Sequence, residues 1–456
     1  MTSPTNHARF RLLRLGMAVG SSLLSKMGSV VLQLVAIPVA VAVLGFEKYG
    51  VFAALSAAFA CLGVSGIGVG PGLTKAIART HAAGNEVDES AYFTTAMLLL
   101  SLTGLLAGIA VYCVLAFIGA TTLFGQQFAV YQEVIITCAP MLGLLVFFET
   151  VLGVVERTQA GYQEMHRANL FGAAGNLGGG ILLLAGIHSF PNIPFLVIAV
   201  LGMPTLARLC NAVQLLGWHR RYLLKHGLHF VGGKARELLA DGMAFTASQA
   251  IAPLLMREGA KLIASHVGGP VAAGIFTVLN QMSTFLGGFI TMISAPLWPA
   301  LMDASARHDY AWFDSARRKL VMGVMAYVTV AAVMLTLTGS WLIEKWLGGH
   351  VHVSQMVLLG FACFYVAMAW AHVNYICLTG LGILAGPAIL SMIEAVGAQF
   401  TAWLGMQWFG IPGLLGGLTV AILAVTAWLF PLMLSQRMRA WKENGAVPLA
   451  TLAPSH

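Results

Sequence analysis

The sequence predicts an all-α polytopic membrane protein, with about 12 transmembrane helices in two pseudo-symmetric six-helix bundles around a central cavity. Three observations predict it. With 58% hydrophobic and only 9% charged residues, and a mean hydropathy of +0.83, the chain of 456 residues has too little polar surface to cover a water-soluble globule. Twelve apolar stretches are each long enough to cross a bilayer, which takes roughly 20 helical residues. The basic residues also collect on one of the two sides that those stretches define.

The N-terminus carries Arg9, Arg11 and Arg14 ahead of a first apolar stretch, 17–44. That stretch is long enough to span and no small-residue cleavage site comes after it, so the first helix is expected to stay in the protein. Five more stretches complete the first half, at 51–73, 92–118, 131–155, 168–187 and 193–218. The second half has six, at 238–265, 271–301, 320–342, 353–379, 384–406 and 412–434.

Placing the N-terminus in the cytoplasm puts 19 of the 25 Lys and Arg inside: Arg9, Arg11, Arg14; Lys75, Arg79; Arg157, Arg167; Arg220, Arg221, Lys225, Lys234, Arg236; Arg307, Arg317, Arg318, Lys319; Arg437, Arg439, Lys442. Only Lys48 and Lys345 fall outside, and Lys26, Arg208, Arg257 and Lys261 lie within spans. Positive-inside sorting produces this bias, and an odd number of spans in either half would scramble it. Both termini are expected in the cytoplasm. The surplus charge of +8 is therefore topological, and nucleic acid is excluded as a partner.

The densest basic run divides the chain. Residues 1–218 read as an N-terminal six-helix bundle, 219–241 as a cytoplasmic basic connector, 242–434 as a C-terminal six-helix bundle and 435–456 as a cytoplasmic tail. Across the divide the sequence repeats at an offset of 224: LGFEKYGVF around Gly45 and Gly50 is matched by VGGPVAAGIF around Gly269 and Gly274, and Pro71 is matched within one residue by Pro296. An even number of spans per half makes the repeat parallel, about an axis along the membrane normal.

The candidate site lies where an apolar span accepts charge. In TASQAIAPLLMREGAK, residues 246–261, Thr246, Gln249, Pro253 and Arg257 fall at i, i+3, i+7 and i+11, and Lys261 comes one turn after Arg257. Glu258 stands three residues before Lys261, as an ion-coupling group or a structural partner. A charge at mid-depth costs about 2.5–3.5 kcal/mol on insertion scales, so such groups face a cavity or a partner; the bland alternative is that they snorkel to the headgroups. In the first helix Ser22, Ser25, Ser29 and Gln33 are the 224-residue counterparts of that stripe, and Lys26 shares their face. A pseudo-twofold axis would bring the two faces together around a basic cavity lined by Lys26, Gln33, Gln249, Arg257 and Lys261. The serines by themselves are explained by close helix packing.

Other features carry less. The six cysteines sit in apolar stretches without CxxC spacing and read as small packing residues. The 13 histidines show no ligand spacing, so neither a metal nor any other cofactor is expected. Glu149, His372, Asn374 and Glu394 fit a proton relay or sugar contacts, and fit interhelical hydrogen bonds equally well.

The two-half layout, the LGFEKYGVF turn, GVSGIGVGPGLTKAIAR at the end of the second span, and ASHVGGPVAAGIFTVLNQMS with SAPLWPAL after it resemble the Wzx-type polysaccharide-repeat-unit flippases. These belong to the superfamily of multidrug, oligosaccharidyl-lipid and polysaccharide exporters. The resemblance covers nearly the whole chain. It implies alternating access and the movement of an undecaprenyl-diphosphate-linked oligosaccharide to the periplasmic leaflet for O-antigen or exopolysaccharide synthesis. Lipid-linked oligosaccharide, membrane lipids and the polysaccharide polymerase machinery are the implied partners. Two alternatives stand beside this reading: a multidrug or toxic-compound extrusion antiporter of the same fold, which would want an acidic cavity, and a membrane-embedded polymerase or acyltransferase, which would want a long extracytoplasmic loop.

Overall fold

The structure is a computed structural model, and it describes residue 30 and residues 32–62, 68–225, 227–246 and 250–444. Among these there is no strand, and one helix succeeds another. Each of the twelve expected spans falls on a helix, wholly or in part. The first two lie on α1 (Leu32–Leu44), α2 (Phe46–Leu62) and α3 (Val69–Ala82). Then come α4 (Glu86–Ile118), α5 (Gln126–Gly161), α6 (Met165–Gly186) and α7 (Ile193–His219). After α8 (Gly232–Thr246) the helix Ala252–Ala306 is broken at Gly269 into α9 (252–268) and α10 (270–306). The last are α11 (Tyr310–Trp346), α12 (Gln355–Gly380), and a stretch broken at Gly410 into α13 (385–409) and α14 (411–424), with α15 (Thr426–Asn444) continuing it.

Local chemistry sets the helix starts. Asn85 accepts from the Asp88 amide ahead of α4, whose first turn holds Glu86, Asp88 and Glu89 against the positive end of the helix dipole. Asp309 caps α11 through the Trp312 amide, and Ser354 caps α12 through Val357.

Two compact units result: the first takes residues up to 246 together with 269–274, the second 247–268 and 275 onward. The repeat is visible inside the first unit. Gly45 and Gly269 both have left-handed backbones, at φ 85° and 78°, where a side chain would be strained. A Cβ on Gly50 would lie 1.8 Å from the Pro270 carbonyl oxygen, and one on Gly274 would lie 2.8 Å from the Phe46 ring. Residues 46 and 270, like 50 and 274, are 224 apart, so each turn presses its equivalent residue onto the other's glycine.

The basic connector is part of the first unit's core. Leu223 and Leu238 are buried with Leu73, Ile77, Phe93 and Tyr162. Glu89, only 1% exposed, accepts hydrogen bonds from Tyr162 at 2.6 Å and Tyr222 at 2.5 Å and lies 3.1 Å from His81 Nδ1. Lys234 reaches Asp88 at 2.6 Å, and Arg79 reaches Glu237 at 2.9 Å. Burial, and then the bond to Glu89, push the Tyr222 phenol up to about 12, which keeps it a donor at any physiological pH.

In the second unit, Phe313, Tyr365, Cys377, Phe430 and Trp441 are buried in one cluster. Trp441 packs edge-on against Tyr310 and Phe313, at 5.4 and 5.5 Å between ring centroids. The first residues of the expected tail therefore continue α15 and close this core.

Candidate transport site

After a short α-helical start, Ala252–Leu254, α9 winds into a turn of π-helix, Leu255–Gly259. Such a turn skips the regular i→i−4 bonding and leaves carbonyls needing a donor, which is costly away from water. Gln399 of α13 supplies one: its Nε2 donates to the Leu255 carbonyl at 2.9 Å. The turn directs Arg257 onto a cavity of about 360 Å3 inside the second unit, beside Pro253 and Met256. α10 contributes Phe276, Asn280 and Ser283 to its wall, α12 contributes Phe361, His372 and Tyr375, and α13 and α15 contribute Glu394 and Thr426.

Most of the wall is aromatic or aliphatic, so the few polar groups define its chemistry. No carboxylate among the described residues pairs with the exposed Arg257. Glu394 is 9% exposed and accepts a hydrogen bond from the Thr426 hydroxyl, and no cation among the described residues pairs with it. His372 Nε2 lies 3.4 Å from the Ser294 hydroxyl. The cavity therefore offers one guanidinium, one carboxyl and the His372 imidazole on a mainly apolar wall, where charge interactions are stronger than in water.

The expected site residues are divided by the structure. Arg257 and Pro253 line the cavity. Lys261 does not: it is 5% exposed, and its Nζ meets Glu258 Oε2 at 2.6 Å. The stripe assumes a regular 3.6-residue period, but a π turn adds about one residue and so rotates the next turn of the helix by roughly 100°. Thr246, at the head of the same stripe, is buried in the first unit, where the Gly68 amide donates to its hydroxyl at 3.2 Å. Gln33 is half-buried on α1 of that unit. Lys26 and Gln249 lie outside the described residues.

A second ionic group emerges as a unit only in the fold. In the first unit the Arg208 guanidinium of α7 bonds Glu149 through Nη1 and Glu156 through Nε, the latter at 3.0 Å. One turn further, Gln159 and Asn211, both buried, exchange hydrogen bonds at 2.7 and 3.0 Å. Glu149, Glu156 and Gln159 run along one face of α5, and Thr205, Arg208 and Asn211 along the facing side of α7. The signal in the sequence is an acid and a cation stranded at in-span positions of two helices.

These helices and their breaks define a class. The fold is that of the multidrug and toxic-compound exporters. A solved inward-facing multidrug resistance MATE family transporter of the MOP superfamily superposes with a TM-score of 0.71 at 16% identity, covering 95% of this chain and 99% of that one. An outward-facing structure of such a transporter gives 0.58 at 18% identity, covering 94% and 96%. A MOP superfamily transporter from Pyrococcus furiosus, described by a reverse polarity of its binding pocket that suggests a different function, gives 0.56 at 16%, covering 94% and 95%. Residues 15–305, more than half of the chain, match the family described as polysaccharide biosynthesis protein, and the chain belongs to that family. No curated protein sequence matches it.

Proposed function

We propose that this protein is a flippase that carries an undecaprenyl-diphosphate-linked oligosaccharide across the bacterial inner membrane by alternating access, for O-antigen or exopolysaccharide assembly. The observation that carries the reading is Arg257, free of any carboxylate among the described residues, on the wall of a cavity within a membrane protein of the polysaccharide biosynthesis family. A guanidinium is planar and permanently charged, and its fork matches two phosphate oxygens at once. A diphosphate leaving the headgroups gives up hydration, and a fixed cation in an apolar cavity replaces part of it. The N-terminus, the 219–241 segment and the C-terminus face the cytoplasm, by the charge bias, and the polymerase machinery receives the product.

One observation favours a second reading. Glu394 shares the cavity with Arg257, whereas Lys261 is neutralised by Glu258, so charge balance alone does not reject the organic cations that a multidrug extruder takes. Family membership tips the balance toward the glycan. Transport into membrane vesicles of a labelled lipid-linked glycan, run beside a labelled organic cation, tests this. Uptake of the cation with none of the glycan would replace the proposal with the extruder reading.

A further inference from the structure

Away from the transport cavity, α10 and α11 leave a second space of about 360 Å3, at the end of α11 where its basic residues cluster. Its apolar side is made by Ile293 and Leu297, one turn apart on α10, and by Trp312, Ala316 and Leu320, successive turns of one row on α11. A second row on α11, Ser315 and Lys319, adds a hydroxyl and an ammonium.

The charges around it are unevenly matched. Arg307 bonds Asp303 at 2.9 Å, and Asp314 holds both Arg317, at 2.7 Å, and Arg318, at 2.5 Å. Asp309 is taken up in capping α11. Lys319 is exposed and, unlike those three arginines, has no acidic partner among the described residues. Trp312, 43% exposed, stands in the first turn of α11, where an indole at the edge of a bilayer sits at headgroup depth, and Lys319, two turns further into the span, snorkels back toward that end.

We propose that this cleft is a binding site for one anionic phospholipid of the cytoplasmic leaflet. An acyl chain lies against Ile293, Leu297 and Leu320, the Lys319 ammonium, snorkelling toward the basic end of α11, meets the phosphate with the Ser315 hydroxyl, and the Trp312 ring borders the headgroup. The cluster lies at the basic end of the spans, the end that positive-inside sorting keeps in the cytoplasm. The anion is recognised as part of a lipid and not as free phosphate, because most of the wall can contact only hydrocarbon. Nothing in this site depends on the transported cargo.

Native mass spectrometry of the full chain, released from mixed phosphatidylglycerol and phosphatidylcholine, tests it. The wild type should retain one phosphatidylglycerol per chain in preference to phosphatidylcholine by about fivefold, the worth of one basic residue near an anionic surface. Lys319→Gln should erase the preference, Lys319→Arg should keep it, and Trp312→Ala should weaken retention of both lipids. Inorganic phosphate in excess should not displace the bound lipid. Equal retention of the two lipids by the wild type, or an undiminished preference in Lys319→Gln, would overturn the proposal. So would displacement by inorganic phosphate, which would make the site one for the free anion.

Discussion

Two charged groups within the described membrane-spanning helices, one in each unit, are treated in opposite ways. In the first unit Arg208 of α7 is clasped between Glu149 and Glu156 of α5, with the Gln159–Asn211 exchange one turn on. In the second, Arg257 and Glu394 share the wall of an open apolar cavity without forming an ion pair; Glu394 is held by the Thr426 hydroxyl. The first arrangement satisfies its charges internally and ties two helices together. The second leaves a cation available to something that enters. An intramembrane ionisable residue is a functional candidate by default, but its unsatisfied bonding capacity separates a site from a joint.

Mutations should break or sharpen that contrast. The largest effect is expected at the joint. Arg208→Gln strands two carboxylates; removing one partner of a buried pair costs about 3–5 kcal/mol, and the partial exposure here places the loss near the lower end. Folded protein in the membrane should fall sharply, and thermal unfolding in detergent should shift down. Normal abundance and stability would show that α5 and α7 do not need the joint.

Arg257→Gln should do the reverse, keeping membrane abundance while transport is impaired, and Arg257→Lys should restore only part of it because the charge returns without the fork. Wild-type levels of surface polysaccharide in Arg257→Gln would remove the cation from cargo binding.

Glu258→Gln comes next. It leaves Lys261 buried without its counter-charge, so a loss of stability of about 2–3 kcal/mol is expected, softened because Glu258 is partly open to its surroundings. Protein that is as stable as the wild type yet has lost the proton dependence of transport would instead make Glu258 the coupling group.

The smallest change is expected for Glu394→Gln, which keeps an acceptor for Thr426 and most of the side-chain volume. Its glycan transport should stay close to wild type. If Glu394→Gln abolished transport while Arg257→Gln spared it, the acid and not the cation would hold the cargo, as in the extruder reading.

The limits of sequence reading are physical and can be located. Glu149, Glu394 and His372 are visible as polar residues in apolar stretches, but nothing along the chain distinguishes the one that joins helices from those that line a cavity. Arg208 lies 59 residues beyond Glu149 and 52 beyond Glu156. Regular helical spacing assigns Lys261 to the cavity, and the π turn at Leu255–Gly259 is invisible to that spacing. The connector reads as a basic segment between the halves, and nothing along the chain tells that Tyr222, Leu223 and Leu238 anchor it in the first unit's core.

What the sequence by itself determined is whatever short-range physics controls. Runs of apolar residues long enough to cross a bilayer must be helical, because no water is there to bond an open backbone. Basic residues between them set which ends share a side, and the glycines at 45 and 269 mark turns that no other residue adopts without strain. The i,i+3 spacing of Glu258 and Lys261 already allowed their pairing, but the tertiary structure alone decided the rest: Arg208 closed between two carboxylates of another helix, Arg257 left open to a cavity. A charge's energy in a low-dielectric interior depends on the groups within a few ångströms of it, and those neighbours come from distant parts of the chain.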